Sequence, residues 1–119
     1  MSSIGKDYKT CYHTRMHFSD HKPVLELRAK ISDIVRKNVD LKKYKVFFFG
    51  SWVTGTARER SDIDVGIKGE KPMDVERLSV LKGAIEGLRT LYKIDVVDFA
   101  DTGNDFQEVA LQKIEEIIP

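Results

Sequence analysis

Phe49-Gly50-Ser51-Trp52-Val53-Thr54-Gly55, followed a short spacer later by Ser61-Asp62-Ile63-Asp64-Val65-Gly66-Ile67, is the stretch on which the reading of this chain turns. A glycine-serine turn leaves one hydrophobic run, and two aspartates one residue apart stand in the next. Strand side chains alternate faces with a period of two. Asp62 and Asp64 are therefore expected on one face, with Ile63, Val65 and Ile67 on the other. Two carboxylates side by side repel each other, and a divalent cation between them is the usual remedy.

Working outward, residues 44–49 form a continuous apolar run rich in aromatics, which predicts a strand buried on both faces. Ahead of it, Val24, Leu27, Ile31, Ile34 and Val35 recur at three- and four-residue spacing from about Lys22, with Pro23 near the start, where proline is tolerated. Residues 51–56 read as a short helical turn or loop, and 62–67 as a second strand stopped by Lys68-Gly69. A helix is predicted over about 73–91 with Leu78, Leu81, Ile85 and Leu88 as its core stripe, then a third strand over 93–99. A closing helix over 105–117 would place Phe106, Val109, Ala110, Ile114 and Ile117 on one face, with Asn104 as its N-cap. The order α-β-(turn)-β-α-β-α predicts an α/β fold in one domain over residues 21–119. Residues 1–20 show no clear period and are expected to be an N-terminal arm of little order.

Composition narrows the function classes. The 119 residues suffice for one core, and 41% hydrophobic with 33% charged residues is ordinary for a globular protein. A net charge of +1 provides no overall field toward nucleic acid or an anionic membrane, so any polyanion must be held by a local site. Cys11 is the single cysteine, which excludes an internal disulfide and suits a reducing compartment. Runs such as 46–49 are far too short to span a bilayer, and Met1 to Lys22 carries no signal-peptide pattern, so a cytoplasmic protein is expected.

A third acid extends the pair. Along 93–99, alternation puts Lys93, Asp95, Val97 and Phe99 on one side and Ile94, Val96 and Asp98 on the other. If this strand lies beside 62–67, Asp95 joins Asp62 and Asp64. Three carboxylates within hydrogen-bond range would have coupled, raised pKa values unless cations neutralise them. Oxygen-only ligation suits Mg²⁺ or Mn²⁺ rather than zinc. The turn supplies a second half: Gly50 lets the backbone approach a phosphate closely, the helical turn after it favours anions, and the Ser51 hydroxyl adds a donor.

Phe49-Gly50-Ser51, Gly55 and Ser61-Asp62-Ile63-Asp64 together resemble the signature of the DNA polymerase β-type nucleotidyltransferase superfamily, and Lys93-Ile94-Asp95-Val96 is similar to the later strand that carries its third carboxylate. The short chain resembles the minimal nucleotidyltransferases. The resemblance implies a polymerase β-like fold, a mixed twisted sheet flanked by helices. It also implies Mg²⁺ (or Mn²⁺) held by Asp62, Asp64 and Asp95 as catalytic carboxylates, with Gly50 and Ser51 on the phosphates of ATP or another NTP. Asp95 would serve the metal nearest the acceptor. The implied reaction moves a nucleoside monophosphate, AMP foremost, to an acceptor hydroxyl. Minimal members often act with a separately encoded helical HEPN partner, several as antitoxins that transfer AMP to it. A small molecule or an RNA end stays open as acceptor, and so does self-association of the chain.

Minimal members usually carry basic residues just after Gly-Ser, whereas Trp52-Val53-Thr54 stands here; Arg58, Arg60 and Lys93 are the nearby replacements. The alternative readings are a non-catalytic nucleotide-binding subunit of a two-protein complex and a plain α/β interaction domain. His13, His17 and His21, with Cys11 nearby, would form a metal-binding stripe only on a continuous helix, which Ser19-Asp20 and Pro23 argue against. Asp98 reads as a strand end and Phe47-Phe48-Phe49 as core, while Trp52 either stacks on a base or packs over the sheet edge and is assigned no role.

Overall fold

A computed structural model describes residues 15–119. Four strands, β1 (Lys45–Phe49), β2 (Ile63–Lys68), β3 (Ile94–Asp98) and β4 (Glu115–Glu116), form one mixed sheet in the order β3-β2-β1-β4. β1 runs antiparallel to both β2 and β4, and β2 runs parallel to β3. Parallel neighbours need a crossover, and helix α3 (Val75–Glu86) provides it. The other helices are α1 (Lys22–Asn38), the single turn α2 (Ser51–Thr54) and α4 (Asn104–Ala110).

Alternation along the strands divides the core in two. Val46, Phe48, Ile63, Val65 and Ile67 face α1 and α3, whose Val24, Leu27, Ile31, Val35, Leu81 and Ile85 complete the larger cluster. Phe47 and Phe49 point the other way and meet Phe99, with Val97, Ala110, Leu111 and Ile114 around them. β1 is covered on both faces, which is why its sequence is an unbroken apolar run. Gly66 sits where rings need room: a Cβ there would come within 2.4 Å of Phe47 and 2.7 Å of Phe99.

Three expectations are corrected. The packed unit reaches back into the residues read as an arm. Phe18 is fully buried, edge-on to Phe48 at 5.1 Å, with the Arg28 guanidinium over its ring. Met16 and Ala57 exchange backbone hydrogen bonds of 2.7 and 3.1 Å, and His17 bonds to Glu115, which also pairs with Arg28 by distance though not in hydrogen-bond alignment. His17 caps a short 3-10 turn (Phe18–Asp20) and His21 precedes α1, so these two share no continuous helix; Cys11 and His13 lie outside the described residues. Second, α3 ends at Glu86, with Gly87 as its cap, short of Leu91. Third, α4 starts after the cap Gly103, with Asn104 as its first residue rather than its cap. It stops at Ala110, and the chain then pairs with the free edge of β1, Phe47 opposite Glu116 and Phe48 opposite Glu115. Ile114 enters the small cluster and Ile117 the large one, while Val109 stays exposed, so the five residues share no face.

Candidate functional site

The end of the sheet where β1 finishes and β2 and β3 begin gathers the acids. Phe49 is opposite Asp64, and Asp64 is in register with Asp95 on the parallel neighbour, which puts both carboxylates on the face that carries Phe47 and Val97. Asp62 lies one residue ahead of β2 and is exposed. Its backbone neighbours are nonetheless anchored. Ile63 N–H donates to the Lys93 carbonyl at 2.9 Å, and the Ser61 carbonyl accepts from the Trp52 indole N–H at 2.9 Å.

Gly50, at φ +81°, leaves β1 in a conformation that L side chains rarely adopt. A Cβ on it would fall 2.2 Å from Asp64 Oδ2, so the turn's backbone lies directly against that carboxylate. Ser51, half-buried, opens α2, and a helix start presents amides that lack intrahelical partners. Turn and acid therefore meet without an intervening side chain.

Electrostatics follow from this crowding. Burial first, then the charges of Asp95 and Asp62, push the Asp64 carboxyl from its ordinary 3.8 up to about 6, against a smaller lowering by Lys93. The Lys93 ammonium stands 3.7 Å from Asp95 Oδ1 on the exposed side. Among the described residues no three His, Cys, Asp or Glu side chains converge tightly enough to grip one ion as they stand, so the acids are coupled through their fields and not by mutual hydrogen bonds. An all-carboxylate donor set with a raised pKa at its centre, beside a turn whose missing Cβ leaves the carboxylate room, fits a hard divalent cation.

Other acids and aromatics have structural roles. Asp98 is buried and accepts from Met73 N–H at 2.8 Å and Ala100 N–H at 3.0 Å, tying β3 to the segment before α3. Trp52 is 1% exposed inside the larger cluster and is unavailable to a base. Arg58 and Arg60 are exposed on the loop before Asp62. A cavity of about 380 Å³ opens beside Asp95, lined by Glu86, Thr90, Tyr92 and Lys93 among others. A slightly larger groove of about 400 Å³, with Arg28, Arg36 and Ile117, lies between α1 and the chain end, away from the acids; the first has Ile85, Leu88 and Ile94 of the α3 side of the sheet in its wall, and of the three acids Asp95 alone reaches it. Among the described residues no helix is long and apolar enough to cross a membrane.

Comparison with known proteins agrees with this geometry. Residues 29–118 match the family model described as Polymerase beta, Nucleotidyltransferase. The chain is 36% identical over 75 residues to the probable protein adenylyltransferase MntA of Haemophilus influenzae, a match covering 63% of this chain and 65% of that protein. It thus spans just under two thirds of the curated relative's length. In fold it is similar to a chain of a toxin–antitoxin crystal structure with AMP-PNP (TM-score 0.55, 22% identity, 76% of this chain and 71% of that one). A second solved structure holds a tri-AMPylated HEPN toxin of Shewanella oneidensis with its MNT antitoxin (TM-score 0.51, 18% identity, 79% and 71%). With the family model covering most of its length and the mixed sheet carrying the motif at one end, the chain belongs to the polymerase beta nucleotidyltransferase family.

Proposed function

We propose that this chain transfers AMP from ATP to a hydroxyl on a separately encoded helical protein, acting as the antitoxin half of a two-protein module. One observation supports the chemistry most: the Gly50 backbone abuts the Asp64 carboxylate, which stands in register with Asp95, so a phosphate turn and an acidic pair share one corner of the sheet. Asp62, Asp64 and Asp95 would hold Mg²⁺ or Mn²⁺, and Gly50 and Ser51 would hold the triphosphate. The cation, when bound, supplies charge neutralisation on the phosphates and activation of the acceptor hydroxyl. What the residues contribute is placement: Asp95, on the edge strand β3 in register with Asp64, is the group assigned to the acceptor side, and Gly50–Ser51 orient the donor's phosphates. Lys93, paired with Asp95 and acting on the Asp64 carboxyl, is the cation assigned to compensate for the missing basic residues after Gly-Ser.

The partner is inferred from relatives. The similar Haemophilus influenzae protein is named a probable protein adenylyltransferase, and the similar solved chains sit in toxin–antitoxin complexes, one with an AMPylated HEPN toxin. The sequence feature that bears on the non-catalytic alternative is the missing basic residue after Gly-Ser; the Trp52 that stands there is part of the core.

The test is to incubate the purified chain with α-³²P-labelled ATP, Mg²⁺ and the helical protein encoded next to it. Label on that protein, with a mass gain of one or more AMP units, is expected for the natural chain and absent for Asp64→Asn. Undiminished labelling by Asp64→Asn would overturn the assigned role, and no labelling of any acceptor despite ATP binding would leave the non-catalytic subunit standing.

A further inference from the structure

Trp52, like Val53 beside it, turns its side chain from the glycine-serine turn into the core, and it alone of the two carries a polar atom there. Its indole lies in the larger core cluster, stacked on His21 at 5.8 Å with planes 10° apart and on Phe18 at 6.1 Å, with Tyr92 edge-on at 6.3 Å. Its single polar atom, Nε1, donates to the carbonyl of Ser61, the residue before Asp62. Ser61 is further held by reciprocal bonds with Arg58: Arg58 N–H to Ser61 Oγ at 2.8 Å, and Ser61 N–H to the Arg58 carbonyl at 2.9 Å. Beyond Asp62, Ile63 is fixed to the Lys93 carbonyl. Asp62 is exposed and lies outside β2, so its placement depends on these two flanking anchors.

We propose that Trp52 is a positioning residue for Asp62: its buried indole N–H, bonded to the Ser61 carbonyl, fixes the backbone before that carboxylate relative to the Gly50–Ser51 turn. The inference rests on the nucleotidyltransferase reading above, in which Asp62 holds a cation and the turn holds the donor's phosphates. Because Trp52 stands two residues after Gly50, its indole N–H ties the backbone before Asp62 to the turn directly. A site held loosely by an angstrom loses affinity and rate even when every ligand is present. Removing the N–H would release the Ser61 carbonyl and let Asp62 wander, without touching Asp64, Asp95 or the turn itself.

The chain has one tryptophan, so expression in a tryptophan auxotroph fed β-benzothienylalanine replaces Trp52 alone, keeping its shape and deleting its donor. Mn²⁺ binding to the purified chain, read by electron paramagnetic resonance without nucleotide, is expected to weaken about three- to tenfold, the worth of one hydrogen bond. In an Asp62→Asn background the same replacement is expected to cause no further loss, since the two changes act through one carboxylate. Phe18→Leu, which loosens the same stack but leaves the N–H in place, is expected to lower Tm with Mn²⁺ affinity intact. The proposal is overturned if the isostere binds Mn²⁺ like the natural chain, if its loss persists undiminished beside Asp62→Asn, or if Phe18→Leu weakens Mn²⁺ equally. Asp64→Asn separates the levels: unchanged Mn²⁺ affinity in that variant overturns the underlying site as well, whereas a loss there beside an unaffected isostere overturns only the role of Trp52.

Discussion

Replacing Asp64 by asparagine should stabilise the metal-free fold at neutral pH, the reverse of what removing a native side chain usually does. The folded carboxyl titrates near 6 and its ordinary value is 3.8. Folding therefore disfavours the ionised form, and the penalty is fully present above pH 6, declines as pH falls toward 3.8, and is gone below that. A displacement of about two pH units sets a ceiling of about 3 kcal/mol. Asp64 is only half-buried, and solvent screening reduces the figure to about 1–2 kcal/mol. Asparagine keeps the shape against Gly50 while removing the charge that burial, Asp95 and Asp62 oppose. Urea unfolding in EDTA should show Asp64→Asn more stable than the natural chain by about 1–2 kcal/mol at pH 8, with the difference closing by pH 4. Saturating Mg²⁺ should reverse the ranking, because a cation that binds only the folded state stabilises the natural carboxylate. An Asp64→Asn effect of equal size and sign at pH 8 and pH 4 would refute the electrostatic reasoning.

Further outcomes follow from other contacts. Gly50→Ala forces a Cβ into the Asp64 carboxylate at a positive φ, so it should lose transfer and about 1–3 kcal/mol of stability; a variant with normal transfer would dissociate the turn from the acid. Phe18→Ala removes a fully buried ring from residues 16–20 and should lower stability by about 3–5 kcal/mol in urea, whereas a loss under about 1 kcal/mol would return that segment to the status of an arm. Asp98→Ala leaves the Met73 and Ala100 amides unpaired and should cost about 2–4 kcal/mol with Mn²⁺ affinity unchanged; weakened Mn²⁺ binding at full stability would make Asp98 a ligand instead.

Periodicity made α1 and the three main strands legible, because each buries one predictable stripe or an unbroken run: Val24, Leu27, Ile31 and Val35 in the helix, Val46 through Phe49 in the strand. Alternation anticipated the shared face of Asp64 and Asp95, which the parallel register places side by side, yet Asp62 falls outside β2, since the chain enters pairing only at Ile63. β4 could not be read locally. Glu115–Glu116 has no strand character of its own and is extended because β1 offers an unpaired edge, a non-local cause. Phe18 was invisible for a similar reason: one aromatic without a period gives no pattern, and only its fit against Phe48 and Trp52 makes it core. The indole bond from Trp52 to Ser61 had no signal in the motif, where an apolar residue after Gly-Ser reads as a missing charge.

Crystals of the chain with Mn²⁺ and a non-hydrolysable ATP analogue, measured at the manganese absorption edge, test the central claim most directly. The account predicts anomalous density within coordination distance of Asp62, Asp64 and Asp95 together, with the analogue's phosphates against Gly50 and Ser51. Manganese placed elsewhere, or bound to Asp62 and Asp64 while Asp95 points away from it, would contradict it.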